Sequence, residues 1–460
     1  MPFIGIDLGT SFIKGAVLDV DGLRLSHIVR VPFPTPLPGL PTLHCEYDTD
    51  VILAAVRQLL HDLLPHALPC EGLVMCSQMH GLVLTNARGQ PASNLTTWQD
   101  TRALEPHPSG QGSYFEVLRA RLSADETRQL GNELRPDLPV SVLFWLAEQG
   151  RLPREAVFPA SLPDFVLANL CGVEPTTEIT NAAAHGALNL ETGDWHGQVL
   201  GKLGLDGLRW PTLRRQGEVV GHLRFEGQVF PCYTPVGDYQ CALVGALLQP
   251  EELSLNISTG CQVSLITPGP EFGDFQTRPF FDGRYLKAIT NVPAGRALNA
   301  LVRLLSELAE AQGVSLEDPW DYIIRSATAV SETRLRVNLA FFPSSCGDRG
   351  EIINLREEEM TVGHLFRAAF QNIADNCYAS ALRLSPERSW QGLVLSGGLA
   401  QKIALLRQLI HARFQVGYRL CPTSEDTLLG LLALARAFSG RADSVAQATV
   451  WARRRRAHTA

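Results

Sequence analysis

The stretch Phe3-Ile4-Gly5-Ile6-Asp7-Leu8-Gly9-Thr10-Ser11 has a counterpart far down the chain, Leu253-Ser254-Leu255-Asn256-Ile257-Ser258-Thr259-Gly260-Cys261. In each, an apolar strand runs into a turn of Gly, Thr and Ser and leaves as a second apolar strand, Ile13–Val20 in the first case and Gln262–Thr267 in the second. Such turns present backbone N–H groups and hydroxyls with no bulky side chain in the way, which is what a polyphosphate requires. Two of them, roughly half a chain apart, predict two related lobes closing on one nucleotide.

At 460 residues the chain is long enough for two or three domains with their own cores. Hydrophobic residues make up 45% and charged residues 19%, which excludes a disordered chain. A net charge of −7 argues against nucleic acid as a partner. The ten cysteines form no C-x-x-C pair, and Cys45, Cys76, Cys171, Cys241 and Cys377 sit in apolar settings, as reduced core thiols do. Asp7 interrupts the N-terminus too early for a signal peptide, and no apolar run is long enough to span a bilayer; Leu428–Phe438 reads as a packed helix. The expectation is a cytoplasmic protein with no membrane partner; a homodimer stays open. Arg453–Arg456 reads as a solvated tail, with contact to an acidic partner as the alternative.

Residues 3–34 read as three strands, with Asp21-Gly22 turning the second into the third. Helical spacing over Val51–Leu64 returns the chain over the sheet, and Gly72–Met75 is a buried strand leading to Ser77-Gln78-Met79-His80-Gly81 and a further strand, Leu82–Thr85. Residues 106–208 are irregular and more helical, with helices expected at Val140–Glu148 and Asp164–Leu170, and resemble an insertion on the first lobe. Val236-Gly237-Asp238-Tyr239-Gln240 and a helix Cys241–Leu248 close that lobe, and Gln249-Pro250-Glu251 is the hinge candidate. The second lobe carries helices at Ala297–Gln312 and Val362–Leu384, the strand Gly392–Leu395 running into Ser396-Gly397-Gly398, and helices at Ala400–His411 and Thr427–Ala437. The expected division is 1–248, 252–440 and a tail, 441–460.

Six motifs in register resemble the FGGY family of carbohydrate kinases over roughly residues 1–440. They are Asp7-Leu8-Gly9-Thr10-Ser11 with Lys14, Ser77-Gln78-Met79-His80-Gly81, Thr97-Trp98-Gln99-Asp100-Thr101-Arg102, Gly237-Asp238-Tyr239-Gln240, Asn256-Ile257-Ser258-Thr259-Gly260 and Ser396-Gly397-Gly398. Thr97–Arg102 and Leu255–Thr259 are most similar to the sedoheptulokinase branch; Ser-Gln-Met-His-Gly is shared with xylulokinases. The resemblance implies an α/β, two-lobed actin-like (ribonuclease-H-like) fold, with ATP, Mg²⁺ and a small sugar in the cleft. Its implied reaction is phosphorylation of a ketose hydroxyl, sedoheptulose first, with xylulose or another polyol as alternative; the alternative class is an actin-like ATP-binding module without kinase activity. Two departures bear on sugar identity. Val142 precedes Trp145 where the family carries a Lys, and Phe342–Arg349 is a degenerate form of a Pro…Gly-Glu-Arg loop.

Phosphoryl transfer needs positioning, charge neutralisation and a group that takes the proton of the attacking hydroxyl. Asp238, after a Gly at the start of an apolar helix, is the candidate base; an N-cap is the alternative, and both roles can coexist. Asp7 at a strand end reads as a Mg²⁺ anchor acting through water, against a turn-stabilising Asp. Thr10, Ser11 and Thr259 would hydrogen-bond phosphate oxygens, while Gly9 and Gly260 let the backbone approach. Lys14 either adds charge to the phosphates or faces solvent. The resemblance assigns adenosine binding to Gly397 and Gly398, and sugar binding to Gln78, Met79, His80, Trp98, Asp100 and Arg102 with Gln99 and Asp238. Arg102 could instead pair with a carboxylate to hold its loop. Asn291 and Arg278 are weaker sugar candidates.

Overall fold

The computed structural model describes residues 1–153 and 157–457. Its first sheet is built from β1 (Phe3–Leu8), β2 (Phe12–Asp19), β3 (Arg24–Pro32), β4 (Leu73–Ser77), β5 (Val219–Phe225), β6 (Gln228–Tyr233) and β7 (Val236–Gly237). The order is β5-β6-β4-β1-β2-β3, with β7 beside β4. β1 is buried along its whole length, as a continuous apolar run in the middle of a sheet should be. It pairs antiparallel with β2, placing Asp7 opposite Lys14, and parallel with β4, placing Asp7 beside Cys76. Asp19 accepts the Gly22 N–H at 2.8 Å and closes the next hairpin where Asp21-Gly22 predicts it.

The second sheet comprises β8 (Glu252–Ile257), β9 (Gly260–Thr267), β10 (Gln276–Pro279), β11 (Tyr285–Pro293), β12 (Gly392–Ser396) and β13 (Tyr418–Leu420), in the order β10-β11-β9-β8-β12-β13. Read from β12, its run β12-β8-β9-β11 repeats β4-β1-β2-β3. The repeated sequence is therefore a repeated topology.

Helix α1 (Thr49–Leu63) lies on the first sheet; its N-cap is Asp48, which accepts the Asp50 N–H at 2.8 Å, so it begins slightly earlier than the spacing predicts. In the insertion, α2 (Pro139–Glu148), α3 (Leu162–Cys171) and the short α4 (Ile179–Ala183) follow. Residues between Tyr114 and Leu205 gather a core of their own around Phe144 and Trp145, and Val142 packs within it.

Each half carries a helix that starts at an aspartate: α5 (Asp238–Gly245) after β7, and α10 (Asp426–Phe438) after β13. In chain order between them come α6 (Gly295–Ala311), α7 (Val362–Leu384), α8 (Gly398–Lys402) and α9 (Ala404–Phe414). α7 follows its predicted bounds, and its stripe of Phe366, Phe370, Ile373 and Cys377 is fully buried. α5 and α10 cross in contact between the two sheets. A Cβ on Gly245 would fall 1.8 Å from the Asp426 carbonyl oxygen, and one on Gly430 would fall 2.1 Å from that of Cys241. The crossing lies in one core that takes Phe3 and Leu18 from the first sheet and Leu286 and Val394 from the second.

Two readings need correction. α5 begins at Asp238 and not at Cys241, because Val236 and Gly237 pair with Cys76 and Ser77 and the chain turns helical immediately after the last ladder position. Gly237 holds the cap position, so Asp238 is no N-cap. The Arg453–Arg456 segment is not a loose tail. It lies in α11 (Val445–Ala457), whose Val445 and Ala448 join that shared core, whose Ala452 is also buried, and whose Trp451 stacks 3.8 Å from the Arg436 guanidinium. Arg453 pairs with Glu252 at 3.0 Å. Residues 458–460 lie outside the described ones. All ten cysteines are free thiols; Cys45 and Cys171 are only half-buried. No helix among the described residues is long and apolar enough to cross a membrane.

Candidate active site

Parallel strands β1, β4 and β7 end together and deliver Asp7, Gln78 and Asp238 to one edge of the first sheet. Asp7 is buried there. Its Oδ2 accepts the Thr427 hydroxyl at 2.7 Å from the start of α10 and lies 3.8 Å from Lys14 Nζ, while its Oδ1 has no partner. Burial raises the Asp7 pKa, with Thr427 and Lys14 working against it. Lys14 also pairs with Glu425 at 3.5 Å, so it faces the acidic edge and not open solvent.

Asp238 is half-buried at the first turn of α5. Desolvation pushes its pKa up to about 8; the negative charge of Asp7 adds to the rise, and that of Asp426 adds less. Asp426 itself is pushed up to about 6, mainly by burial. Once deprotonated, a carboxylate held that high is a stronger base than an exposed one. Its placement is fixed from behind. Gly237 N–H donates to Thr180 Oγ1 at 3.0 Å, and Asn181 Nδ2 donates to the Pro235 carbonyl at 3.0 Å, both from α4. A Cβ on Gly237 would lie 3.2 Å from Met79 Sδ, so the absence of a side chain lets Met79 lie against the turn.

Thr10 joins the first hairpin to the neighbouring residues: its hydroxyl donates to Gln78 Oε1 at 3.1 Å and accepts the Trp98 indole N–H at 3.1 Å. Trp98 is 42% exposed, an open flat wall. Gln78 Nε2 and Gln240 Oε1 are buried without partners. Buried orphans are rare, and here two lie at the edge where Asp7 and Asp238 are delivered. His80 holds a left-handed backbone at φ 68°. Its Nδ1 is 2.8 Å from Asp137 and its Nε2 4.0 Å from Glu133. Burial opposes ionisation of Asp137, but the hydrogen bond and charge of His80, with Arg135, hold its pKa below the usual carboxylate range. Asp137 is thus an acceptor, so His80 Nδ1 carries the proton that points to it.

Asp100 and Arg102 do not join this surface. Asp100 is 0% exposed, and both its oxygens are consumed: Arg102 Nε and Nη2 donate to them at 2.8 and 2.6 Å, and the Cys45 N–H at 2.8 Å. Arg102 also reaches Glu46 at 2.7 Å and lies over Trp145. The pair holds the loop that presents Trp98, which corrects the expectation of direct sugar contact. Gln99 accepts the Tyr47 hydroxyl at 2.6 Å. Asn291 donates to the Pro343 carbonyl at 3.0 Å. Arg278 is buried and forks onto Glu133.

On the second sheet the Ser258-Thr259-Gly260 turn is open on its outer side, as are Gly9, Thr10 and Ser11 at least in part on the first. Its inner side rests on α6, whose Arg296 N–H donates to the Thr259 carbonyl at 2.7 Å. Gly397 sits beside this turn at φ 84°, where a Cβ would come within 2.4 Å of the Ile257 carbonyl oxygen; around Gly398 there is open space. Thr427, Asp426, Glu133, Asp137 and Thr180 escaped the sequence reading. The Asp426-Thr427 pair opening the last apolar helix was the available signal, since it mirrors Asp238-Tyr239.

Two matching half-sheets, each ending in a phosphate-type hairpin, with acid-initiated helices crossing between them, define a two-lobed actin-like ATPase fold. Residues 3–245 match the N-terminal domain of the FGGY family of carbohydrate kinases, and the chain belongs to that family. The chain is 25% identical to the sedoheptulokinase of Mus musculus, a match that covers 89% of this chain and 92% of that one. It is 29% identical to the xylulose kinase of Klebsiella pneumoniae over 49% of this chain and 44% of the other. The ligand-bound xylulose kinase of Lactobacillus acidophilus superposes with a TM-score of 0.83 at 20% identity, covering 97% and 91% of the two chains. The protein is a carbohydrate kinase.

Proposed function

We propose that this kinase transfers the γ-phosphoryl group of ATP to a hydroxyl of a neutral ketose, sedoheptulose, giving sedoheptulose 7-phosphate and ADP in the cytoplasm. The observation that carries the reading is Asp238: a carboxylate with a raised pKa, held rigidly at a helix start, beside orphaned polar atoms of Gln78 and Gln240. Near-complete reciprocal coverage by a sedoheptulokinase favours that sugar.

In this reading Gln78, Met79, His80 and Trp98 seat the sugar, with apolar surface for its C–H groups and fixed polar atoms for its hydroxyls. Asp238 takes the proton of the terminal hydroxyl as that oxygen bonds to the γ-phosphorus and the bond to the ADP oxygen breaks. Thr10, Ser11 and Thr259, with the backbone at Gly9 and Gly260, hold the phosphates, and Gly397 and Gly398 leave a flat surface for adenosine. The unpartnered Oδ1 of Asp7 fits a Mg²⁺ ion held through one protein carboxylate and water, because no cluster of three ligating side chains exists among the described residues. When bound, Mg²⁺ would neutralise charge on the phosphates. Lys14 supplies a second positive charge at the same edge. Domain division at residues 248 and 252 belongs to the same proposal, the 249–251 link letting the lobes close.

ADP release measured across sedoheptulose, xylulose, ribulose, gluconate and glycerol tests the assignment. Sedoheptulose should give the highest kcat/KM. Preference for xylulose would transfer the protein to the shorter ketose, and basal hydrolysis unchanged by every sugar would overturn the kinase mechanism proposed here.

A further inference from the structure

The cations near the candidate sugar residues are already engaged. Lys14 is shared by Asp7 and Glu425. Arg135 is 3.0 Å from Asp137. Arg278, buried on β10, gives Nε to Glu133 Oε2 at 2.8 Å and Nη2 to the other oxygen, a bidentate fork. Its guanidinium also lies 4.9 Å from the ring centre of Tyr239, the residue after Asp238. Unpaired, it would be suited to a carboxylate or phosphate, which a guanidinium receives in the same planar geometry.

Glu133 reaches that fork from the first lobe, along a segment built to approach the second. Thr277 N–H donates to the Gly131 carbonyl at 2.9 Å, and a Cβ on Gly131, at φ 78°, would lie 2.3 Å from the Thr277 carbonyl oxygen. Asn132 Nδ2 donates to the Gly273 carbonyl at 2.9 Å. The segment thus sets Glu133 onto Arg278 while leaving it 4.0 Å from His80. Asp137 pairs with His80 and Arg135 beside it, so Glu133 and Asp137 are each matched to a positive partner near His80.

We propose that Glu133 is a specificity residue that restricts the pocket to uncharged sugars: by filling the Arg278 fork it denies that guanidinium to the carboxylate of a sugar acid or the phosphate of a sugar phosphate. This rests on the kinase reading of the site. An anionic sugar at this site meets Glu133 and Asp137 with the neighbouring cations Arg278 and Arg135 already paired to them, whereas the hydroxyls of a neutral ketose can hydrogen-bond to the same groups.

Calorimetric titration of the full chain with gluconate and with sedoheptulose, without nucleotide, tests this directly. Glu133→Gln keeps the shape and one hydrogen bond to Arg278 but removes the charge. It should bind gluconate roughly tenfold or more tightly than the wild type and sedoheptulose more weakly. The double variant Glu133→Gln/Arg278→Gln should lose the gain. If Glu133→Gln does not fold by circular dichroism, Glu133→Ala carries the same expectation. The proposal falls if neither single variant gains gluconate affinity, if the double variant retains the gain, or if the wild type binds gluconate as tightly as sedoheptulose. Because binding needs no turnover, these titrations decide the role of Glu133 even if ADP release shows no sugar-dependent kinase activity.

Discussion

The two hairpins share one pairing scheme and differ in charge. In the first, Asp7 stands opposite Lys14 and beside Cys76, and the acidic start of α10 closes on it through Thr427. In the second, the equivalent position is Asn256, opposite Gln262 and beside Ser396. One turn therefore sits in a field of ionisable groups, and the other is neutral and braced by α6 with glycines alongside. In the proposed reading the duplicated scaffold divides two tasks: one copy handles charge and the reacting atoms, the other offers backbone to a nucleotide. The same asymmetry separates the two helix starts. Asp238 and Asp426 occupy corresponding positions, yet burial and the nearness of Asp7 raise Asp238 further, to about 8 against about 6.

That division can be broken at its strongest point by exchanging the two helix-start acids for amides. Asp238→Asn should lower kcat by about 10³-fold with nucleotide affinity retained, as loss of a positioned base does. Asp426→Asn should cost an order of magnitude less. Equal losses in steady-state kinetics would mean that the two acids share the work and that the halves are not specialised. The hairpins give the next contrast: Asp7→Asn should reduce kcat by about 10²-fold and raise the Mg²⁺ requirement, whereas Asn256→Ala should change kcat little and act on the KM for ATP.

Symmetry at the crossing of α5 and α10 predicts a matched pair. Gly245→Ala and Gly430→Ala each place a methyl group against the partner helix's backbone, and each should destabilise by about 1–3 kcal/mol in urea unfolding. A large effect at only one of them would show that a single lobe absorbs the strain. A further effect, seen only when pH is varied, concerns buried acids. Asp164 and Glu178 are pushed up to about 7, chiefly by burial. Folding then penalises their charged forms, so their contribution to stability falls as pH rises from the unfolded values near 4 to the folded ones near 7, by up to about 1 kcal/mol per pH unit each. Asp164→Asn should flatten the slope of unfolding free energy in that window; an unchanged slope would mean that Asp164 does not titrate there. Glu178→Gln should do the same while also loosening Thr180, on which the turn before Asp238 rests.

Much of this site was legible in local sequence. Strand ends followed by Gly, Thr and Ser are short-range signals, and Asp7, Thr10, Gln78, His80 and Asp238 lie on the same acidic edge because adjacent parallel strands end side by side. Asp100 and Arg102 read as pocket residues from their motif, but their partners Glu46 and the Cys45 amide lie far back in the chain, and those contacts turn the pair into a brace. Glu133 and Asp137 fall in an irregular segment without periodicity, so their place between His80 and Arg278 had no local signature. The packing of Arg453–Arg456 was equally hidden, because a run of like charges reads as solvated until Glu252 and the Pro422 carbonyl are brought beside it.

Sequence alone settled the duplication, the family and the strand ends from which the chemistry projects, because hydrophobic period and turn composition act over a few residues. Tertiary structure decided which charges are free and which are spent. Asp238, Asp100 and Arg278 are all ionisable groups, and only their neighbours leave one a half-buried acid with a raised pKa, one fully consumed by Arg102 and the Cys45 amide, and one forked onto Glu133, since ionisation and availability depend on burial and on partners that the chain brings together from opposite ends.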